Sequence, residues 1–284
     1  MVPCNEYGQA IAPDTFASVS AVLPDTIAPN QPAAVSVNPS GYSNDKNFTV
    51  SWSGVKDFTT ASEKIQTNVG SGKIQYSIDG TDHWKDTDSN SASGKYTFDA
   101  SGCEDGIHTV YIRGKDGSGN TGTPRGASFK VDRSGPAGQT VTVLPSGWTR
   151  DGMLAVNVSG MKDLNPIARI EYRMDSGSWT DTGKTSGSFA GYQVDISRLS
   201  DGRHTLSLRG TDSIGNVGTA VSTAIYIDRS APTIKEARLE PSGWNREKEI
   251  TLFWEGVKDD TSGVAKLEYA VDGEWKEIQE IAEV

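Results

Sequence analysis

Asp105-Gly-Ile-His-Thr-Val-Tyr-Ile-Arg-Gly-Lys-Asp-Gly-Ser-Gly-Asn120 returns as Asp201-Gly-Arg-His-Thr-Leu-Ser-Leu-Arg-Gly-Thr-Asp-Ser-Ile-Gly-Asn216, at an offset of 96 residues (105 to 201). In each stretch apolar residues alternate with polar ones: Val110 and Ile112 in the first, Leu206 and Leu208 in the second. A period of two is a strand with one face buried and one wet. The Asp-x-x-Gly-Asn that follows supplies the residues of a tight turn. A strand running into such a turn, written twice at a spacing near one hundred residues, is too long a period for a solenoid and fits a string of separate domains.

Other landmarks keep the same register. Val131-Asp-Arg-Ser-Gly-Pro136 returns as Ile227-Asp-Arg-Ser-Ala-Pro232. An upstream strand carries Phe48, Val50 and Trp52, then Leu154, Val156 and Val158, then Ile250, Leu252 and Trp254. The next carries Ile74, Tyr76 and Ile78, then Ile170, Tyr172 and Met174, then Leu267, Tyr269 and Val271. One buried face per strand, dense Gly/Asp/Ser punctuation and no apolar stripe of period 3.6 predict an all-β chain of antiparallel sandwiches, about seven strands in each complete unit. The boundaries follow: 1–26 as a linker or the tail of an upstream region, 27–133 as the first unit, 134–229 as the second and 230–284 as a third begun but truncated. Proline in each Asp-Arg-Ser-x-Pro joint fixes φ and biases its predecessor toward extended backbone, so the joints are expected to be short and stiff.

The first unit is ten residues longer than the second between Gly54-Val-Lys-Asp57 and Ile74, against Gly160-Met-Lys-Asp163 and Ile170 (17 apart versus 7). The insertion, 58–73, is rich in Thr, Ser, Gly and Asn and reads as a tolerated surface loop. The third unit stops before its versions of the two quoted motifs, which leaves Phe253, Trp254 and Tyr269 with little to pack against and strand edges open. The plain expectation is a fragment of a longer chain; the alternative is that another chain supplies the missing strands.

Taken in order, these landmarks resemble the bacterial immunoglobulin-like repeats of large secreted and cell-surface proteins, and also fibronectin-III-like modules. The resemblance spans 27–229 in full and 230–284 in its first half. It implies tandem immunoglobulin-like antiparallel β-sandwiches, two complete and one truncated. It also implies a non-catalytic structural spacer or adhesive stalk module, outside the cell or attached to its wall, with neighbouring domains of a longer parent chain as its partners. The alternative function is a carbohydrate- or protein-binding module accessory to a larger enzyme or adhesin, with a cell-surface or glycan ligand.

Composition excludes several partners. The chain has 37 acidic and 27 basic residues, a formal net charge of −10, which disfavours nucleic acid and anionic membrane surfaces. No stretch is long and apolar enough to enter a bilayer. Of the two cysteines, Cys103 takes the place of Leu199 and so reads as a small buried hydrophobe, with a bridge to Cys4 as the lesser reading.

Candidate chemistry is sparse. His108 and His204 occupy equivalent positions, with neither a serine elbow nor a second motif to make a triad, and read as rim histidines bonded to a turn. Asp116, Asp132, Asp212 and Asp228 recur near unit ends, with Asn120 and Asn216 close by. Hard oxygens gathered there are candidate calcium ligands, and calcium is the only cofactor the sequence suggests. The same Asp-x-x-Gly-Asn is also what a tight hairpin requires. Trp84 and Trp179 follow the same hairpin in two units and are candidate glycan-stacking residues, against a framework reading in which they pack over a sheet edge.

Overall fold

The structure, a computed structural model, describes residues 6–7, 25–58, 65–66, 69–70, 72–244 and 246–278. The tail up to residue 24 apart from 6–7, with Cys4, and most of the insertion therefore lie outside the described residues. Contact density divides the chain into 1–131 and 132–284. No helix occurs among the described residues, and none is long and apolar enough to cross a membrane.

In the first body the strands are β1 (Ala34–Asn38), β2 (Tyr42–Ser43), β3 (Asn47–Ser53), β4 (Asp57–Phe58), β5 (Ile65–Gln66), β6 (Lys73–Ile78), β7 (Lys85–Asp86), β8 (Gly94–Asp99), β9 (Gly106–Lys115) and β10 (Arg125–Val131). Three of them form a sheet in the order β1-β3-β8, and five form a second in the order β2-β10-β9-β6-β7. The second module repeats the plan with β11 (Thr140–Leu144), β12 (Trp148–Thr149), β13 (Met153–Ser159), β14 (Ile167–Met174), β15 (Thr180–Asp181), β16 (Phe189–Asp195), β17 (Gly202–Asp212) and β18 (Val221–Ile227). Its sheets run β11-β13-β16 and β12-β18-β17-β14-β15. The expected seven strands become eight in this module, because two-residue strands (β12 and β15) extend both edges of the larger sheet.

The alternating residues form the cores. Phe48, Phe98 and Phe129 are fully buried in the first, with Phe129 ring centroids 5.0 Å from Phe48 and 5.2 Å from Phe98. The second core is aliphatic at the matching places: Leu154, Val194 and Ile225, beside Leu206 and Leu208. The core side chains therefore change between copies while the turn residues do not. Cys103 is half-buried and packed against the first core. The insertion does more than line the surface: β4 pairs with β5, and Val69 is buried in the core, sealing the sandwich end beside Val55.

The third copy has β19 (Glu236–Glu240) paired with β20 (Thr251–Glu255) and a hairpin of β21 (Glu268–Val271) with β22 (Glu274–Glu277). Its positions that are core elsewhere stay open. Ile250 is 55% and Val271 59% exposed, whereas their counterparts Leu154 and Met174 are buried in or packed against the second core. Phe253 and Tyr269 are also exposed.

Candidate functional site

The Arg-Gly-x-Asp-x-x-Gly-Asn motif turns out to be a seat for the segment that enters each module. Asp212 Oδ1 accepts from the backbone N–H of Ile214 (3.0 Å) and Asn216 (2.8 Å), closing the turn, while Oδ2 accepts from Asn216 Nδ2 (2.8 Å). The same Asn216 Nδ2 donates to the carbonyl of Asp132 at 3.0 Å. Asp116 and Asn120 repeat every one of these bonds, with the carbonyl of Asp25 as the acceptor. Two glycines receive the entry proline. A Cβ on Gly210 would lie 2.9 Å from Pro136 Cβ and 2.7 Å from Met161 Sδ, and one on Gly218 would sit 1.9 Å from the Pro136 carbonyl oxygen. Side-chain atoms cannot approach that closely, so the motif's glycines make room for the joint.

This seat gathers carboxylates. Asp132, Asp163 and Asp212 place oxygens within 4.8 Å of one another, and so do Asp25, Asp57 and Asp116. Asp132 Oδ2 also accepts from Asn165 Nδ2, and Asp163 Oδ1 from the N–H of Asn165. Of the four acids singled out in the sequence, Asp132 and Asp212 thus meet in one triad, Asp116 belongs to another, and Asp228 stands apart with Asp259. Both Asp228 and Asp259 accept from the N–H of Ser262 (3.1 and 3.0 Å), and the backbone N–H of Thr261, with those of Gly263 and Ser262, holds Asp259 below the usual carboxylate range. Sequence reasoning missed Asp25, Asp57 and Asp163. The signal for the last two was the recurring Gly-x-Lys-Asp turn, noticed as a landmark but not as a ligand. Three hard oxygens so close suit a small divalent cation such as calcium; the donors already on Asp212 also give it a complete role as a turn residue.

The other end of the joint is held as well. Asp201 Oδ2 accepts from the Ser230 hydroxyl at 2.6 Å and Oδ1 from the N–H of Arg229 at 3.0 Å, and the Ser230 hydroxyl is the main reason Asp201 ionises below its usual range. The Arg229 guanidinium donates to the carbonyls of Leu199, Ile196 and Asp151. In Asp228-Arg-Ser-Ala-Pro232, arginine and serine therefore bind the module behind, and the aspartate binds the copy ahead.

His204 bridges an aspartate in left-handed backbone (Asp175, φ 48°) and a rim carbonyl: Nδ1 lies 2.8 Å from Asp175 Oδ2 and Nε2 2.9 Å from Ser200 O. His108 sits likewise between Asp79 (φ 54°) and the carbonyl of Glu104. Both ring nitrogens face acceptors, and the ring bridges turn to rim, as the sequence suggested. The tryptophan faces are engaged by cations. The Arg113 guanidinium lies 4.0 Å from the Trp84 ring, and Trp179 is contacted by Arg209 at 4.0 Å and Arg173 at 4.7 Å.

A three-strand sheet packed on a five-strand sheet, with the first strand split between them, is the immunoglobulin-like plan. The modules are immunoglobulin-like β-sandwiches. No family model and no curated protein matches the chain. Among solved structures it is similar to the fibronectin(III)-like modules of CbhA from Clostridium thermocellum (16% identity, 68% of this chain and 94% of that one, TM-score 0.26). It is similar to the FN1–FN3 domains of chicken CNTN1 (14%, 84% and 78%, 0.33) and to the ligand-binding domain of human OSCAR (11%, 70% and 100%, 0.29). The assignment of the immunoglobulin-like modules rests on the sheets themselves.

Proposed function

We propose that this chain is a non-catalytic structural spacer, a stalk segment of a secreted or wall-attached bacterial protein. The observation that carries the reading is the joint. Asp228-Arg-Ser-Ala-Pro232 begins one residue after β18 ends, and its side chains are bonded to the module on either side. A joint with no slack residues transmits position, which is what a spacer does and what a loosely tethered binding module does not need. The duplicated residues agree: His, Asp, Asn and Trp perform the same architectural task in both complete copies. The test is backbone 15N relaxation of the amides at 228–231. Order matching that of β17 supports the spacer, and tail-like mobility there overturns it.

A second reading concerns the triads. Calcium held by Asp132, Asp163 and Asp212 would neutralise three neighbouring carboxylates and fix the entry segment further. A melting temperature that rises with calcium and falls with chelator supports it, and indifference to both ends it.

A further inference from the structure

The two sheets of each complete module present different chemistry to solvent. The outward residues of the three-strand sheets are mostly small and neutral, such as Thr49 and Thr97, whose hydroxyls lie 3.0 Å apart, and Thr142 and Asn157. The outward positions of the five-strand sheets collect cations. Lys73, Arg113, Lys115 and Lys130 alternate with core residues on β6, β9 and β10, against one acid, Asp86. Arg169, Arg173, Arg203 and Arg209 alternate with core residues on β14 and β17, against Glu171 and Asp181.

Of these cations Arg169 and Arg209 pair with Glu171, and the chain, with a net charge of −10, has acids to spare for the others. Yet Lys73 stands directly opposite Lys115 across the β6–β9 pair, an arrangement that is unfavourable unless an anion lies over it. Among the described residues no carboxylate lies within ion-pair distance of Lys73, Lys115, Lys130, Arg173 or Arg203. Aromatic rings are set between these charges. Tyr226 is paired across the sheet with Arg203 and lies 5.3 Å from the ring of Trp148, which is 43% exposed. Tyr42 lies beneath the Lys130 ammonium, and Trp179 props the guanidinium of Arg173.

We propose that the outward face of the five-strand sheet, in each complete module, is a docking surface for an acidic polysaccharide. Its cations meet the carboxylate or sulfate groups, and in the second module the exposed Trp148 ring takes the C–H face of a sugar. A flat face of spaced charges suits an extended polymer with a regular repeat, and two such faces on one chain suit a ligand that repeats. Exposed charge pairing makes such binding weak at each face and sensitive to salt. The surface is separate from the joints, so the spacer reading survives if the surface binds nothing.

The experiment is affinity electrophoresis of the intact chain through gels holding polygalacturonate, heparin or neutral dextran, with duplex DNA and polyglutamate as non-sugar polyanions. Retardation by polygalacturonate or heparin but not dextran, abolished toward molar salt, is expected. K73Q/K115Q and R173Q/R203Q should each weaken it several-fold and together at least about tenfold, while K95Q, on the opposite sheet, leaves it unchanged; none of these side chains belongs to either core, so the fold is kept. No retardation by either acidic glycan overturns the proposal. Equal retardation by DNA or polyglutamate overturns the assignment to a sugar polymer.

Discussion

His204 holds the carboxylate of Asp175 at 2.8 Å through Nδ1 while Nε2 faces the carbonyl of Ser200 at 2.9 Å, so the ring needs both of its protons to satisfy both neighbours. The hydrogen bond that His204 donates to Asp175 is the main cause that raises the His204 pKa above 6.5 and also the main cause that lowers that of Asp175 below 3.8. The two shifts bound a pH window. His204, raised, contributes stability that is fully present below its ordinary pKa and disappears as pH climbs through the folded value. Asp175, lowered, contributes stability that is present above its ordinary pKa and disappears as pH falls through the folded value. The second module should therefore melt highest between about pH 4 and 6.5. Calorimetry should show its transition falling from pH 6 to pH 8, with the slope flattened in H204Q. A melting temperature equally steep in H204Q would overturn this.

Asp201 is the latch of the joint through Arg229 and Ser230. In D201A the tryptic site after Arg229 should be cut several-fold faster, with cleavage inside β17 unchanged. Gel time courses that coincide with those of the parent chain would exclude the latch.

Gly210 gives its Cβ space to Pro136 and Met161. G210A overpacks that contact and should destabilise the second module by about 1–3 kcal/mol, read by urea denaturation. A neutral outcome would mean that the entry segment shifts away freely.

Asn216 serves both the Asp212 turn and the carbonyl of Asp132. N216A should cost about 1–3 kcal/mol in the same assay, because a buried carbonyl and carboxylate lose a donor together. N216D should not recover the loss, since it has no amide N–H to give.

Leu208 is buried at the centre of the second core, and L208A should cost about 2–5 kcal/mol by leaving a cavity. Differential scanning calorimetry of the intact chain should move one transition and leave that of the first module in place.

Much of this protein was legible in its residue order. Alternation at Val110/Ile112 and Leu206/Leu208 set strand and face, because side chains on a strand point to opposite sides in turn. The 96-residue echo marked which strands and turns recur, because equal motifs fold by equal local rules. Even the histidines could be placed at the rim, since they share a strand face with the core. What the motifs are for could not be read that way. Asp25, Asp57 and Asp116 are far apart along the chain and close only once two sheets pack. The seat of Pro136 on Gly210 and Gly218 likewise spans more than 70 positions, and nothing local announces it. The same holds for Val69, read as part of a surface loop and found in the core, and for the Lys73–Lys115 pair, which exists only through strand register. Local periodicity follows from backbone geometry that every residue carries with it. Proximity between distant residues depends on which strands pair and how two sheets close on each other, and that is decided only in three dimensions.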